Sequence, residues 1–148
     1  MKEKEILKEA KKLFSKYGFK KVSMDEIAKN AGVTKKTVYA NFASKEELLN
    51  SLIKLELQDM KERFEKMEKE SDNFFEGINK GLITLLIFRK RNNLFKTLFE
   101  EADILRNKSL VNSIRYIEQD VIDYIKRKLE KAEQDGYIAF DNIDVLTF

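Results

Sequence analysis

The chain has 148 residues, 43% hydrophobic and 37% charged, with a net charge of +3, a globular composition of one to two small helical units. It holds no cysteine and no histidine, which excludes disulfides, thiolate nucleophiles, Ser-His-Asp and Cys-His catalysis, zinc fingers and His-ligated metal sites. With no proline and only five glycines, few positions can stop a helix, so long helices are favoured.

The first periodic segment runs from Lys4 to Tyr17, with Ile6, Ala10, Leu13, Phe14 and Tyr17 on one face and Gly18 as a stop. Two S/T-x-x-E capping boxes follow: Ser23 to Glu26 opens a short helix, and Ser44 to Glu47 opens one reaching about Glu70. Between them Gly32 interrupts the pattern and Thr34 can cap a third short helix. Ser71-Asp72-Asn73 is a break. Phe74 to Arg91 is apolar around most of its circumference, as expected of a central helix. Asn92-Asn93 ends it, and amphipathic helices are expected over Leu94 to Leu105 and Leu110 to Ala132, the latter stopped at Asp135-Gly136. No strand and no repeat is evident, so the expected fold is all-α.

Charge is uneven. Residues 1–50 carry twelve lysines, no arginine and seven acidic residues, a net of +5, while the remaining 98 carry −2. Such an asymmetry is a footprint of a polyanion partner, although a solvated lysine-rich face gives the same count.

Residues 25–42 read DEIAKNAGVTKKTVYANF and meet the steric demands of a helix-turn-helix. Ala28 is small where a second helix approaches. Gly32 tolerates the positive φ of the turn. Val38, six residues on, is apolar where the second helix must dock, and Ile27, Ala31 and Val33 complete a small core. An ordinary αα corner with a lysine-rich exterior fits the same spacing.

The wider pattern resembles the DNA-binding domain of the TetR family of transcriptional regulators. It comprises Ile6, Ala10, Leu13-Phe14 and Gly18; then Ser23, Ile27-Ala28 and Ala31-Gly32-Val33-Thr34; then Thr37-Val38-Tyr39, Phe42 and Ser44-Lys45-Glu46 with Leu48-Leu49. The resemblance covers about residues 4–53 and beyond them is one of layout. It implies a helix-turn-helix domain at 1–48 and a helical ligand-sensing and dimerisation domain at 49–148. The segment Gly136 to Asp144 looks like the link that in this family precedes the last two helices, so the chain is expected to be C-terminally incomplete or a short member, its tail after Gly136 poorly ordered.

Within the DNA-binding unit, Lys35, Lys36, Thr37 and Ala40 are candidates for base edges in the major groove: lysine donates to guanine, and methyl groups meet the thymine methyl. Thr34, Tyr39, Asn41 and Lys45 are candidates for phosphates; Tyr39, Asn41 and Lys45 resemble the family's phosphate-binding positions. Lys45 stands in a helix first turn, against the macrodipole but where free N–H groups favour an anion. Phe42 is read as core. In the second unit Phe74, Phe75, Phe88, Phe95, Phe99, Tyr116 and Tyr124 are candidates for an apolar effector pocket, with plain core packing as the alternative.

The resulting expectation is a ligand-responsive repressor that binds a palindromic double-stranded DNA operator as a homodimer and is released by a small apolar effector. The alternative is a helical small-molecule-binding or structural protein without DNA activity. Carboxylate pairs such as Glu100-Glu101 sit in no motif with a partner, so no enzyme, catalytic residue, cofactor or metal is expected. Residues 1–12 lack an apolar signal region and the longest apolar run, Leu82 to Phe88, is too short for a membrane span, giving a cytoplasmic expectation with no membrane partner.

Overall fold

The computed structural model describes residues 2–105 and 107–139, and within them every regular element is a helix. In chain order these are α1 (Lys2–Tyr17), α2 (Met24–Asn30), α3 (Lys35–Asn41), α4 (Lys45–Lys69), α5 (Phe74–Arg91), α6 (Asn93–Leu105) and α7 (Lys108–Gln134). Residues 140–148, with Phe140, Ile143 and Asp144 of the expected link, lie outside the described residues.

The boundaries follow from capping. Ser23 closes a full capping box: its hydroxyl accepts from Glu26 N at 3.2 Å, and Glu26 accepts from Ser23 N at 2.8 Å. At Ser44 the box is offset by one residue, because Glu47 accepts from Ala43 N at 2.8 Å. Thr34 caps α3 and Asn73 caps α5. Asn92 ends α5, and its side-chain oxygen then accepts from Phe95 N at 3.1 Å in α6. One residue thereby separates two helices.

The first three helices and the start of α4 close on one core. Ile6, Ala10 and Phe14 of α1, Ile27 and Ala28 of α2, Val38 of α3 and Leu48, Leu49 and Ile53 of α4 are all buried. Phe42 is buried as well. From there α4 continues as the spine of the second unit, packing on α5 and α7, while α6 packs back onto α1. The expected boundary at residue 48 therefore falls inside a continuous helix.

The α4–α5 contact is close because α5 offers glycines. A Cβ at Gly81 would lie 2.5 Å from the Phe64 ring, and one at Gly77 3.2 Å from the Glu68 backbone. The expectation of a central α5 needs correction. Among the described residues α5 packs on α4 and α6 and leaves Phe75, Leu82, Ile83, Leu86 and Ile87 exposed. At Gly136 the chain turns, and Tyr137 stacks on Phe74 with centroids 4.5 Å apart; the expected tail beyond residue 139 lies outside the described residues.

Candidate nucleic-acid interface

The helix-turn-helix is built by α2, the turn at 31–34 and α3. Gly32 has φ +64°, in the left-handed region that favours glycine, and nothing lies within 4 Å of where its Cβ would be. The turn closes through Val33 N donating to Ala28 O at 3.0 Å. With Val38 fully buried, the opposite face of α3 meets solvent, presenting Lys35, Lys36, Tyr39, Ala40 and Asn41 exposed and Thr37 half-buried. Base-contact candidates and phosphate candidates thus share one surface, with one exception.

The side chains on that surface are partly pre-engaged. Thr34 and Thr37 hydroxyls are 2.9 Å apart, and Asn41 donates to Thr37 O at 2.8 Å. Lys35 forms an exposed ion pair with Asp25 of α2 at 2.9 Å, which raises the lysine pKa chiefly through that hydrogen bond. Such pairs contribute little to stability and exchange readily for a polyanion. Lys36 has no ion-pair partner among the described residues.

Lys45 is the exception. Its ammonium donates to three carbonyls of the α1–α2 turn: Phe19 O at 2.8 Å, Val22 O at 2.9 Å and Lys20 O at 3.5 Å. It also lies 4.4 Å from the centroid of the Phe19 ring. Burial lowers its pKa, opposed by the charges of Glu46, Glu101 and Glu26. The opposite side of the same turn is held from the second unit. Glu101 of α6 accepts from Phe19 N at 2.6 Å and Lys20 N at 2.7 Å. Gly18, φ +86°, makes this approach possible, because a Cβ there would stand 2.9 Å from Glu101 Oε2. Thr97 of α6 adds a bond to Ser15 O at 2.9 Å.

Sequence reasoning missed the roles of Glu101 and Asp25. Glu101 lies over 80 residues from its partners and no local spacing announces it. Asp25 sits inside a capping box that already explains an acidic first turn.

The seven aromatic pocket candidates are dispersed. Phe95 and Tyr124 are buried, Phe74, Phe88 and Phe99 half-buried, and Phe75 and Tyr116 exposed. Phe88 meets Phe95 edge-on and Phe74 meets Phe75, but Tyr124 pairs with Phe64 of α4.

The sequence and the fold match known proteins. A family model described as bacterial regulatory proteins, tetR family, covers residues 6–52. Over 133 residues the chain is 33% identical to the uncharacterized HTH-type transcriptional regulator YhgD of Bacillus subtilis, spanning 90% of this chain and 70% of that protein. The chain belongs to the TetR family. It is 25% identical over 140 residues to the HTH-type transcriptional regulator UidR of Escherichia coli, spanning 92% of this chain and 68% of the relative. The solved structure of Salmonella enterica GusR shares the fold, with a TM-score of 0.71 at 22% identity over 96% of this chain and 73% of that one. As a TetR-family member the chain is a DNA-binding transcriptional regulator and not an enzyme. The TetR match takes in α1, α2, α3 and the first eight residues of α4, the same stretch that packs as one core around Val38. Among the described residues no helix is long and apolar enough to cross a membrane.

Proposed function

We propose that residues 1–48 read a palindromic double-stranded operator as one half of a homodimer, that residues 49–148 sense a small-molecule effector, and that effector binding releases the DNA. Lys35, Lys36, Thr37 and Ala40 meet base edges, while Thr34, Tyr39 and Asn41 meet phosphates at the rim. Lys45 contacts a phosphate by exchanging at least one turn carbonyl for it. The observation that carries this reading is the exposed, lysine-bearing face of α3 set rigidly by buried Val38. Two such faces must lie about 34–36 Å apart to enter successive major grooves, which requires a dimer.

The test begins with selection of bound duplexes from a randomised pool. The selected site should be a palindrome, and affinity should fall by orders of magnitude between about 50 and 200 mM salt. An effector should lower affinity for that site through unequal binding to two states of the protein. Failure to enrich any sequence, together with salt-insensitive binding, would sink the reading.

A further inference from the structure

A groove of about 840 Å³ opens where α1, α4, α5 and the first residues of α6 meet. One wall is α1, from the DNA-binding unit; another is α5, so an occupant touches both units. The apolar part of its lining is Ile87, Phe88 and Leu94, and Ile87 is 46% exposed. An exposed isoleucine beside a half-buried phenylalanine is a surface that an apolar chain can cover.

The rest of the lining is rich in cations, and their partners separate them into two groups. Lys11 is matched by Glu56 at 2.5 Å, Lys12 by Glu9 at 2.5 Å and Arg63 by Asp59 at 2.8 Å. Glu56 also accepts from the Asn92 amide at 2.6 Å, so the buried carboxylate in the groove is already satisfied. Arg91 and Lys16 stand apart. Arg91 lines the groove exposed, with no hydrogen-bond or ion-pair partner among the described residues. Lys16 lines it from α1, its ammonium 4.9 Å from the centroid of the Tyr17 ring and engaged with the Tyr17 side chain, with no ion-pair partner among the described residues. Asn93 and Leu94, in the first turn of α6, add the positive end of that helix to the same region.

A free guanidinium next to an apolar wall suits one ligand chemistry. We propose that this groove binds an anionic amphiphile, a carboxylate or phosphate on an apolar chain. Arg91 takes the anionic head, its planar fork matching two oxygens, and Lys16 adds a second positive charge. The chain lies on exposed Ile87 and half-buried Phe88, with fully buried Leu94 packed beneath them. The binding claim stands by itself; its consequence for DNA rests on the effector reading proposed above, because the occupant bridges α1 and α5.

Calorimetric titration of the full 148-residue chain with dodecanoate, dodecyl phosphate and dodecanol tests the site. At least one of the two anions should bind saturably, one per chain, and about tenfold or more tighter than the alcohol. Arg91→Gln should weaken it by about 10–100-fold, the range of a charge-assisted hydrogen bond. Ile87→Gln, at an exposed position, should weaken both the anions and dodecanol. Leu55→Ser, at an exposed position outside the groove, is the control and should change nothing. Absence of saturable binding, equal affinity for the alcohol, or an unaltered Arg91→Gln variant would overturn the proposal. DNA affinity of the ligand-free and ligand-bound chain is measured in parallel. Amphiphile binding that leaves DNA affinity unchanged keeps the groove and removes its occupant as the effector. A DNA response that persists in Arg91→Gln removes the groove and keeps the effector reading.

Discussion

Glu101 and Lys45 grip the same backbone turn from opposite sides: the carboxylate takes the N–H groups of Phe19 and Lys20, and the ammonium takes the carbonyls of Phe19, Lys20 and Val22. One residue comes from α6 and the other from α4, so the turn joins the second unit to the base of the helix-turn-helix. Glu101→Ala should cost about 1–3 kcal/mol, since it strips two amides of their acceptor, with the exposed Lys20 amide pulling the value towards the lower end. The amides of Phe19 and Lys20 should lose hydrogen-exchange protection first. Unchanged protection at both would show that the carboxylate is not what holds the turn.

Gly18 and Gly32 both have positive φ, but only Gly18 faces a neighbour. Gly32→Ala should cost about 1–2 kcal/mol, the strain of the left-handed conformation alone. Gly18→Ala should cost more, because its Cβ also displaces Glu101. In a Glu101→Ala background that excess should vanish. Urea unfolding of the four variants measures the coupling, and simple additivity would argue against a shared cause.

The lysines of the DNA surface should separate by role. Replacing Lys36, which has no ion-pair partner among the described residues, should change the preferred base at one position by about 1–3 kcal/mol. Replacing Lys35 should do the same less steeply, because Asp25 already competes for it. Lys45→Ala should weaken all sequences alike, lower the salt slope by about one contact and loosen the turn at 18–22. Titrations against single-base variants of a selected site decide this; a changed sequence preference in Lys45→Ala would contradict the assignment.

Tyr124 gives a pH test. Its ring sits edge-on to Phe64 at 5.5 Å, and its hydroxyl oxygen is buried with no hydrogen-bond partner among the described residues. Burial, then the charges of Glu65 and Glu68, raise its pKa well above the usual tyrosine range. The folded state therefore keeps a proton that the unfolded chain releases near pH ~10, so this contribution to stability is lost as pH rises beyond that point. Tyr124→Phe should be within about 1 kcal/mol of wild type at neutral pH. At about pH 11 it should lose less stability than wild type. Parallel alkaline losses in the two proteins would show that the hydroxyl does not titrate in the way its burial requires.

The helix order was legible because the stop and start signals are local: Ser23, Thr34, Ser44 and Asn73 cap helices within three residues of themselves, and Gly18, Gly32 and Gly136 end them. The α3 surface was legible for the same reason, since Val38 fixes which residues face outward. Glu101 was not, because its partners are backbone amides, which carry no residue type for a sequence to display. Nor was the exposure of α5. Its apolar residues surround the helix, and periodicity cannot say which of two apolar faces a neighbour covers. The free state of Arg91 depends on where Glu56 and Asp59 find partners, a long-range fact.

Because α4 runs unbroken from Lys45 to Lys69, no flexible linker separates the proposed reading unit from the proposed sensing unit. Its 25 residues make a rod about 37 Å long. Leu48 and Leu49 anchor one end in the helix-turn-helix core, and Phe64 and Glu68 meet the glycines of α5 near the other. Such a rod acts as a lever. A tilt of about 5° at the far end would carry the near end by roughly 3 Å, close to the ~3.4 Å step between successive bases on one strand. With α3 in a major groove, as proposed above, a rearrangement around Gly77 and Gly81 too small to register as a domain movement would still shift it by about one base.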